Sequence, residues 1–301
     1  MIEKYSGTAI EYLFGAECVG EFAANTPEWH ELRKSGIGGS DVAAVVGVSK
    51  WTSAYALWAQ KSGLIPDDFS DSEAMEWGRL LEPVIRDKFA DKHPEWNVIE
   101  TDATFRSPKF PWMLGNVDGF IDFGNGEWGV LEIKTAAYED DWVNGVPRYY
   151  ETQVRHYMRV FGLKRGIVAV LFHGNAYREF EVVANEFVDA ADVDMLVEFW
   201  DGVQSGTAPS WDGSTATYET VRAMHPDIED ATVELGDLGM HLVNAAHDYE
   251  AAQQTFNEMK SRCLDALGSA KYGVFTVGDE SRKVCYRSSK SGGTPFLVVK
   301  K

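Results

Sequence analysis

Three residues of this chain have the types and the spacing to do chemistry together: Asp118, Glu132 and Lys134. They fall in one stretch, Leu114-Gly-Asn-Val-Asp118-Gly-Phe-Ile-Asp122, followed after a turn by Trp128-Gly-Val-Leu-Glu132-Ile-Lys134-Thr135. Two carboxylates and an ammonium gathered at one place are costly to bury without a purpose. A divalent cation removes the cost. Asp118 and Glu132 would ligate it through hard oxygens, and Lys134 would stay beside it as a second positive charge.

The local pattern says which elements position them. Two apolar runs, 117–123 and 128–135, flank Gly124-Asn125-Gly126, which reads as a β-hairpin around a Gly/Asn turn. In the second run Val130, Leu131, Ile133 and Thr135 favour a strand. Strand alternation puts Glu132 and Lys134 on one face and Leu131 and Ile133 on the other, with Asp118 on the neighbouring strand. The competing reading is an exposed hairpin with solvated charges. The spacing Asp-x13-Glu-x-Lys resembles the PD-(D/E)xK nuclease core.

Upstream, Trp29 to Lys34 reads as the end of a short helix, followed by a turn through Gly36, Gly38 and Gly39. Ser40 is a suitable N-cap for a helix through Val46. A glycine turn entering a helix offers backbone N–H groups to an anion, with Arg33 and Lys34 just before it. That is a phosphate site on one reading and an ordinary capped core helix on the other. Residues 51–63 predict a second helix, capped by Thr52 or Ser53 and ended by Gly63.

Residues 73–92 predict a longer helix with Pro83 inside it, which either kinks or restarts there. Trp77, Leu81, Ile85 and Phe89 recur at i+4 as its core face, and Glu82 falls at the edge of that face, within reach of a metal or solvated. A strand is expected over 97–105, a helix over Arg148–Phe161 that puts Gln153 and Tyr157 on one face, strands over 166–173 and 177–183, and a helix over 187–203.

From 206 to 226 the composition shifts to Gly, Ser, Thr and Pro, as in a boundary or linker. Residues 227–268 predict a long helical stretch, broken near Gly236 or Gly239, and 273–299 a small β element carrying Lys271, Arg282, Lys283 and Arg287 at its start and within it. The expected division is therefore 1–210 and 211–301.

Composition narrows the function. The net charge of -19 disfavours a general nucleic-acid binder, although residues 271–301 hold seven basic and two acidic residues. A local basic, metal-loaded channel can still act on a strand within an acidic exterior. Cys18, Cys263 and Cys285 are scattered, so neither a disulfide framework nor a zinc site is expected. No apolar run approaches the ~20 residues of a membrane span, and no export signal is visible at the start. A cytoplasmic protein is expected.

The ordered set is more specific than any single motif: Trp29-His-x-x-Arg33, Gly38-Gly39-Ser40, Gly78-x-x-x-Glu82, Asp118, Glu132-x-Lys134 and Gln153-x-x-x-Tyr157. Over about residues 25–205 it resembles the YqaJ-like viral recombinase family, relatives of phage lambda exonuclease within the PD-(D/E)xK nuclease superfamily. The resemblance implies an α/β fold, a restriction-endonuclease-like core with a central mixed sheet flanked by helices. The C-terminal helical and small β extension has no counterpart in the minimal exonuclease.

By position, it implies Asp118, Glu132, Glu82 and the Ile133 carbonyl as metal ligands for Mg²⁺, with Mn²⁺ as a substitute. Lys134 would orient or activate the attacking water, Gln153 would hold the lysine and the scissile region, and Tyr157 would support it. Arg33 and Ser40, with Gly39 and Lys34, would contact a 5′-terminal phosphate. The implied activity is 5′→3′ digestion of linear duplex DNA ends, leaving 3′ overhangs for a single-strand annealing protein, in a phage or prophage protein of a bacterial host. Trimeric rings occur among the lambda relatives, and the long C-terminal helix could impose another assembly. The rival readings are an endonuclease on the same core and, from another class, a non-catalytic acidic DNA mimic that inhibits nucleases.

Overall fold

The computed structural model describes residues 2–5, 12–22, 26–66, 70, 72–124, 126–290 and 292–300; Asn125 of the expected hairpin turn lies outside them. Two compact units are present, one reaching to Ile228 and one starting at Glu229.

The first unit is built on a six-stranded mixed sheet. In spatial order it comprises β1 (Ile2–Tyr5), β4 (Asn97–Thr101), β7 (Gly119–Gly124), β8 (Glu127–Ala136), β9 (Arg165–Phe172) and β10 (Ala176–Val183). β7 and β8 form the expected antiparallel hairpin, with Phe120 opposite Val130. β8 and β9 run parallel, with Glu132 opposite Val168 and Lys134 opposite Val170. Parallel neighbours need a crossover, and helix α5 (Arg148–Phe161) supplies it. A smaller sheet holds β2 (Tyr12–Leu13), β3 (Ala16–Glu21), β5 (Ala103–Arg106) and β6 (Leu114–Gly115). The single strand expected over 97–105 is thus two, β4 and β5, which belong to different sheets.

Helices cover both faces of the large sheet. Alternation along β8 sends Val130 into one apolar cluster with Phe120, Phe161 and Val168, and Leu131 and Ile133 into another with Ile85, Phe89 and Ile121. The first cluster lies under α5 and also takes in α2 (Gly39–Val45) and α3 (Ala54–Lys61). The second lies under α4 (Glu73–Lys92). α4 runs unbroken through Pro83, so the helix does not restart there. Ile85 and Phe89 are buried as expected, but Trp77 is 54% exposed. The buried stripe begins only in the second half of the helix. α1 (Pro27–Lys34) is capped by Thr26, whose hydroxyl accepts from Trp29 N–H.

The unit continues past the boundary expected at 210. After α6 (Glu186–Ser205), the Trp211 ring stacks on Tyr55 at 4.5 Å and 23°. The region read as a linker contains α7 (Thr215–Met224), where the Thr217 hydroxyl is hydrogen-bonded to that of Ser53 at 2.7 Å, both buried. Glycine- and threonine-rich composition here serves a capped helix packed on α3. The second unit comprises α8 (Asp237–Leu267), starting at Gly236, and an antiparallel sheet of β11 (Tyr272–Val277), β12 (Glu280–Ser288) and β13 (Phe296–Val299). Cys285 and Leu297 are its buried side chains.

Candidate active site

Glu132 projects from the middle of β8, on the α5 side of the sheet, and is 1% exposed. Its Oε1 pairs with Lys134 Nζ at 2.5 Å, two residues along the same strand face. Asp118 sits just before β7, and its Oδ2 accepts a hydrogen bond from the Ile133 N–H at 2.6 Å. The hairpin thus brings Asp118, Glu132 and Lys134 together. Burial, and then Asp118, pushes the Glu132 carboxyl up to about 8. Burial also raises Asp118, against the pull of Lys134 and the Ile133 N–H. Burial alone would lower the Lys134 ammonium, but Glu132 and Asp118 outweigh it and hold it above its usual value.

Helix α4 adds a third carboxylate. Burial and Asp118 push Glu82 up to about 7, in spite of the Arg86 guanidinium that pairs with it one turn along. Arg86 fixes this corner: its Nε donates to the Asp118 carbonyl at 3.2 Å and its Nη1 pairs with Glu100 at 3.1 Å. The sequence reading missed Arg86, although its i+4 spacing from Glu82 was visible.

As they stand, these carboxylates do not converge on one point. Among the described residues no three His, Cys, Asp or Glu side chains are grouped to hold a metal ion. Each acid has turned one oxygen to a protein donor: Glu132 to Lys134, Asp118 to the Ile133 N–H, Glu82 to Arg86. Of the three oxygens this leaves, one is sealed from solvent. Glu132 Oε2 is buried with no hydrogen-bond partner, a loss of about 1–3 kcal/mol for an ordinary polar atom and more for a charged one. An orphaned buried oxygen among three mutually repelling carboxylates fits a hard divalent cation.

Helix α5 closes the site from above. Gln153 Nε2 donates to the Tyr157 hydroxyl at 3.2 Å. Burial raises the Tyr157 phenol well above its usual value, and Glu132 and Asp118 raise it further, so the hydroxyl feels the carboxylates. Lys134 Nζ also lies 5.0 Å from the centre of the Tyr150 ring. Tyr150 was not singled out from sequence, where it is one of two adjacent tyrosines at a helix start.

The second cluster adjoins the first through Tyr157. Gly39 packs against its ring, and Arg33 acts on its hydroxyl electrostatically. Both terminal nitrogens of Arg33 donate to Ser40 Oγ at 3.3 Å, and the guanidinium pairs with Asp41. Ser40 is not the N-cap. Gly38 holds that position, and its N–H donates to Asp41 Oδ2 at 2.9 Å, which leaves the Ser40 hydroxyl facing Arg33. Asp41 is anchored from beneath by buried Lys61, whose Nζ lies 2.9 Å from Oδ2 and donates to the Arg33 carbonyl at 2.7 Å. Burial would raise Asp41; Arg33 and Lys61 overcome it and hold the carboxyl at about 2. Lys34 pairs with Glu31 at 3.1 Å. Lys61 was missed because nothing local marks one buried lysine on an otherwise ordinary helix.

This geometry can be set beside known proteins. The sequence model of the YqaJ-like viral recombinase domain matches residues 28–164. The protein YqaJ of Bacillus subtilis (strain 168), itself uncharacterized, is 35% identical over 261 residues, 82% of this chain and 79% of that protein. The chain belongs to the YqaJ-like viral recombinase family. Protein D345L of African swine fever virus (strain Badajoz 1971 Vero-adapted) is 26% identical over 152 residues, 42% of this chain and 43% of that protein. Among solved structures, an alkaline exonuclease (LHK-Exo) from Laribacter hongkongensis is 19% identical, covering 60% of this chain and 94% of that one with a TM-score of 0.49. The YqaJ-like match runs from α1 to the end of α5 and contains Arg33, Ser40, Glu82, Asp118, Glu132, Lys134, Gln153 and Tyr157. The central mixed sheet flanked by helices is the core expected of that family. Among the described residues no helix is long and apolar enough to cross a membrane.

Proposed function

We propose that this YqaJ-like protein is a metal-dependent DNA nuclease that digests linear duplex ends 5′→3′ and leaves 3′ overhangs for a single-strand annealing protein. The observation that carries this reading is the Asp118–Glu132–Lys134 group with a buried, partnerless oxygen, Glu132 Oε2. Asp118, Glu132, the Ile133 carbonyl and Glu82 would hold Mg²⁺, or Mn²⁺ in its place. Bound there, the ion would supply Lewis-acid chemistry, making a water more acidic and offsetting negative charge on a phosphate.

The chain's own groups do the rest. Lys134, oriented by Glu132, sets a positive charge where negative charge builds on the phosphate oxygens. Arg86 keeps Glu82 and the Asp118 backbone in place without entering the site. Tyr157, whose hydroxyl accepts from Gln153 and feels Glu132 and Asp118, would limit how a strand lies across the carboxylates. The Arg33–Ser40 pair is the proposed seat of the 5′-phosphate. Asp41 and Lys61 hold it, and across the three charged side chains one net positive charge remains.

The test is digestion of linear duplex DNA in Mg²⁺ with 5′-phosphate, 5′-hydroxyl or covalently closed ends. Degradation confined to open ends and fastest with 5′-phosphate is expected, with the phosphate preference lost in Arg33→Ala. Lys134→Ala should reduce the rate by about 10²–10⁴ with the circular dichroism unchanged. Equal cutting of closed circles would make the protein an endonuclease instead.

A further inference from the structure

Helix α8 carries a heptad pattern that its own unit leaves uncovered. Leu242, Tyr249, Phe256 and Cys263 recur every seven residues, and Leu238, Ala245, Ala252, Met259 and Ala266 recur every seven in the alternate register. Together they step four and three along the helix without interruption. That 3.5-residue period is the a/d seam of a left-handed coiled coil. The helix is 31 residues, about 46 Å, long and buries none of them. Leu238, Leu242 and Tyr249 are each about two-thirds exposed. The side chains partly covered near the helix C-terminus are Lys260, Leu264 and Leu267, off the seam, and Leu267 lies close to Gly273 of β11.

We propose that α8 pairs with α8 of a second copy of this chain, in antiparallel orientation. Charge selects both partner and direction. Residues 229–251 carry six acidic side chains and no Lys or Arg, whereas 252–271 carry two acidic and three basic ones. A parallel pair would lay the two acidic segments side by side. An antiparallel pair sets each against the Lys260, Arg262 and Lys271 end of the other copy. In one register Asp248 stands opposite Arg262 of the second copy at flanking g positions; Arg262 is paired within its own helix only to exposed Glu258.

Packing points the same way. In a parallel pair each layer meets itself, so Tyr249 and Phe256 layers, overfilled, alternate with Ala245 and Ala252 layers that are nearly empty. In an antiparallel pair a faces d. With Asp248 opposite Arg262, Phe256 meets Ala252 and Leu242 meets Ala266. One heptad away, Phe256 meets Ala245 and Tyr249 meets Ala252. Either register sets Phe256 against an alanine, and the second does the same for Tyr249, whereas the first sets Tyr249 against Met259. An antiparallel pair has two-fold symmetry and closes on itself.

Cys263, exposed on the seam, reports the orientation. The full chain should sediment as an even number of copies, and Phe256→Glu, at a position remote from any core, should halve that mass. Under mild oxidation the wild-type protein should give no disulfide-linked dimer, because antiparallel copies hold their two Cys263 thiols far apart. A245C or L238C should give one, through Cys263 of the second copy. A mass unchanged by Phe256→Glu would overturn the pairing, as would a single-chain or odd-numbered wild-type mass. A dimer linked through native Cys263 would overturn its direction.

Discussion

Gly39 lies flat against the ring of Tyr157: a β-carbon at Gly39 would stand 2.5 Å from two ring carbons. This contact joins the Arg33–Ser40 cluster to the carboxylates, because the Tyr157 hydroxyl also feels Glu132 and Asp118. The glycine is therefore needed for close approach to the ring, besides any backbone contact with an anion.

Gly39→Ala should accordingly displace Tyr157. Overpacking of this kind costs about 1–3 kcal/mol, and the shifted Tyr157 should also slow digestion. Thermal melting and a duplex digestion assay check both. A variant with wild-type melting and rate would show that α2 can move away from the ring freely.

Metal binding should appear without turnover. With Mg²⁺ at ~100 times its Kd the gain is about 2.7 kcal/mol, a rise in Tm of roughly 5–10 °C for a chain of this size. Glu132→Gln, which removes the charge but keeps the shape, should abolish the rise. An undiminished shift in that variant would remove Glu132 from the ligand set.

His156 predicts an acid limit. It is fully buried, its Nε2–H donates to the Leu114 carbonyl at 2.9 Å, and burial, helped by Arg159, holds the imidazole down to about 3 from 6.5. Between those values the unfolded chain takes up a proton that the folded chain refuses. The stabilisation is whole above 6.5 and is lost as pH falls toward 3. At about two units below 6.5 the loss is ~2.7 kcal/mol, or roughly 5–10 °C in Tm. His156→Gln should flatten that part of the profile, as measured by melting across the pH range.

Trp211→Ala should destabilise the first unit although it lies past residue 210. Loss of its stack on Tyr55 costs about 0.5–1.5 kcal/mol beyond the buried area. A lower Tm for the chain ended after Ser210 than for the chain ended after Ile228 would place α7 in the same cooperative fold.

The parts of the fold whose signals are local are legible from residue order alone. Alternation around a Gly/Asn turn located β7 and β8 and put Glu132 and Lys134 on one face, because strand geometry fixes side-chain direction every two residues. Amphipathic period and a terminal glycine bounded α5, and with it the i,i+4 pair Gln153 and Tyr157. Tertiary structure decided what depends on contacts between distant segments. Ser40 looked like a cap until Asp41, held by Lys61 from another helix, bonded to the Gly38 N–H and freed the serine for Arg33. Residues 97–105 looked like one strand until their two halves found different sheets. The glycine- and serine-rich stretch after 206 looked like a linker until Trp211 and Thr217 met Tyr55 and Ser53. Composition reports how readily a segment bends, whereas burial depends on partners more than 150 residues away in the chain.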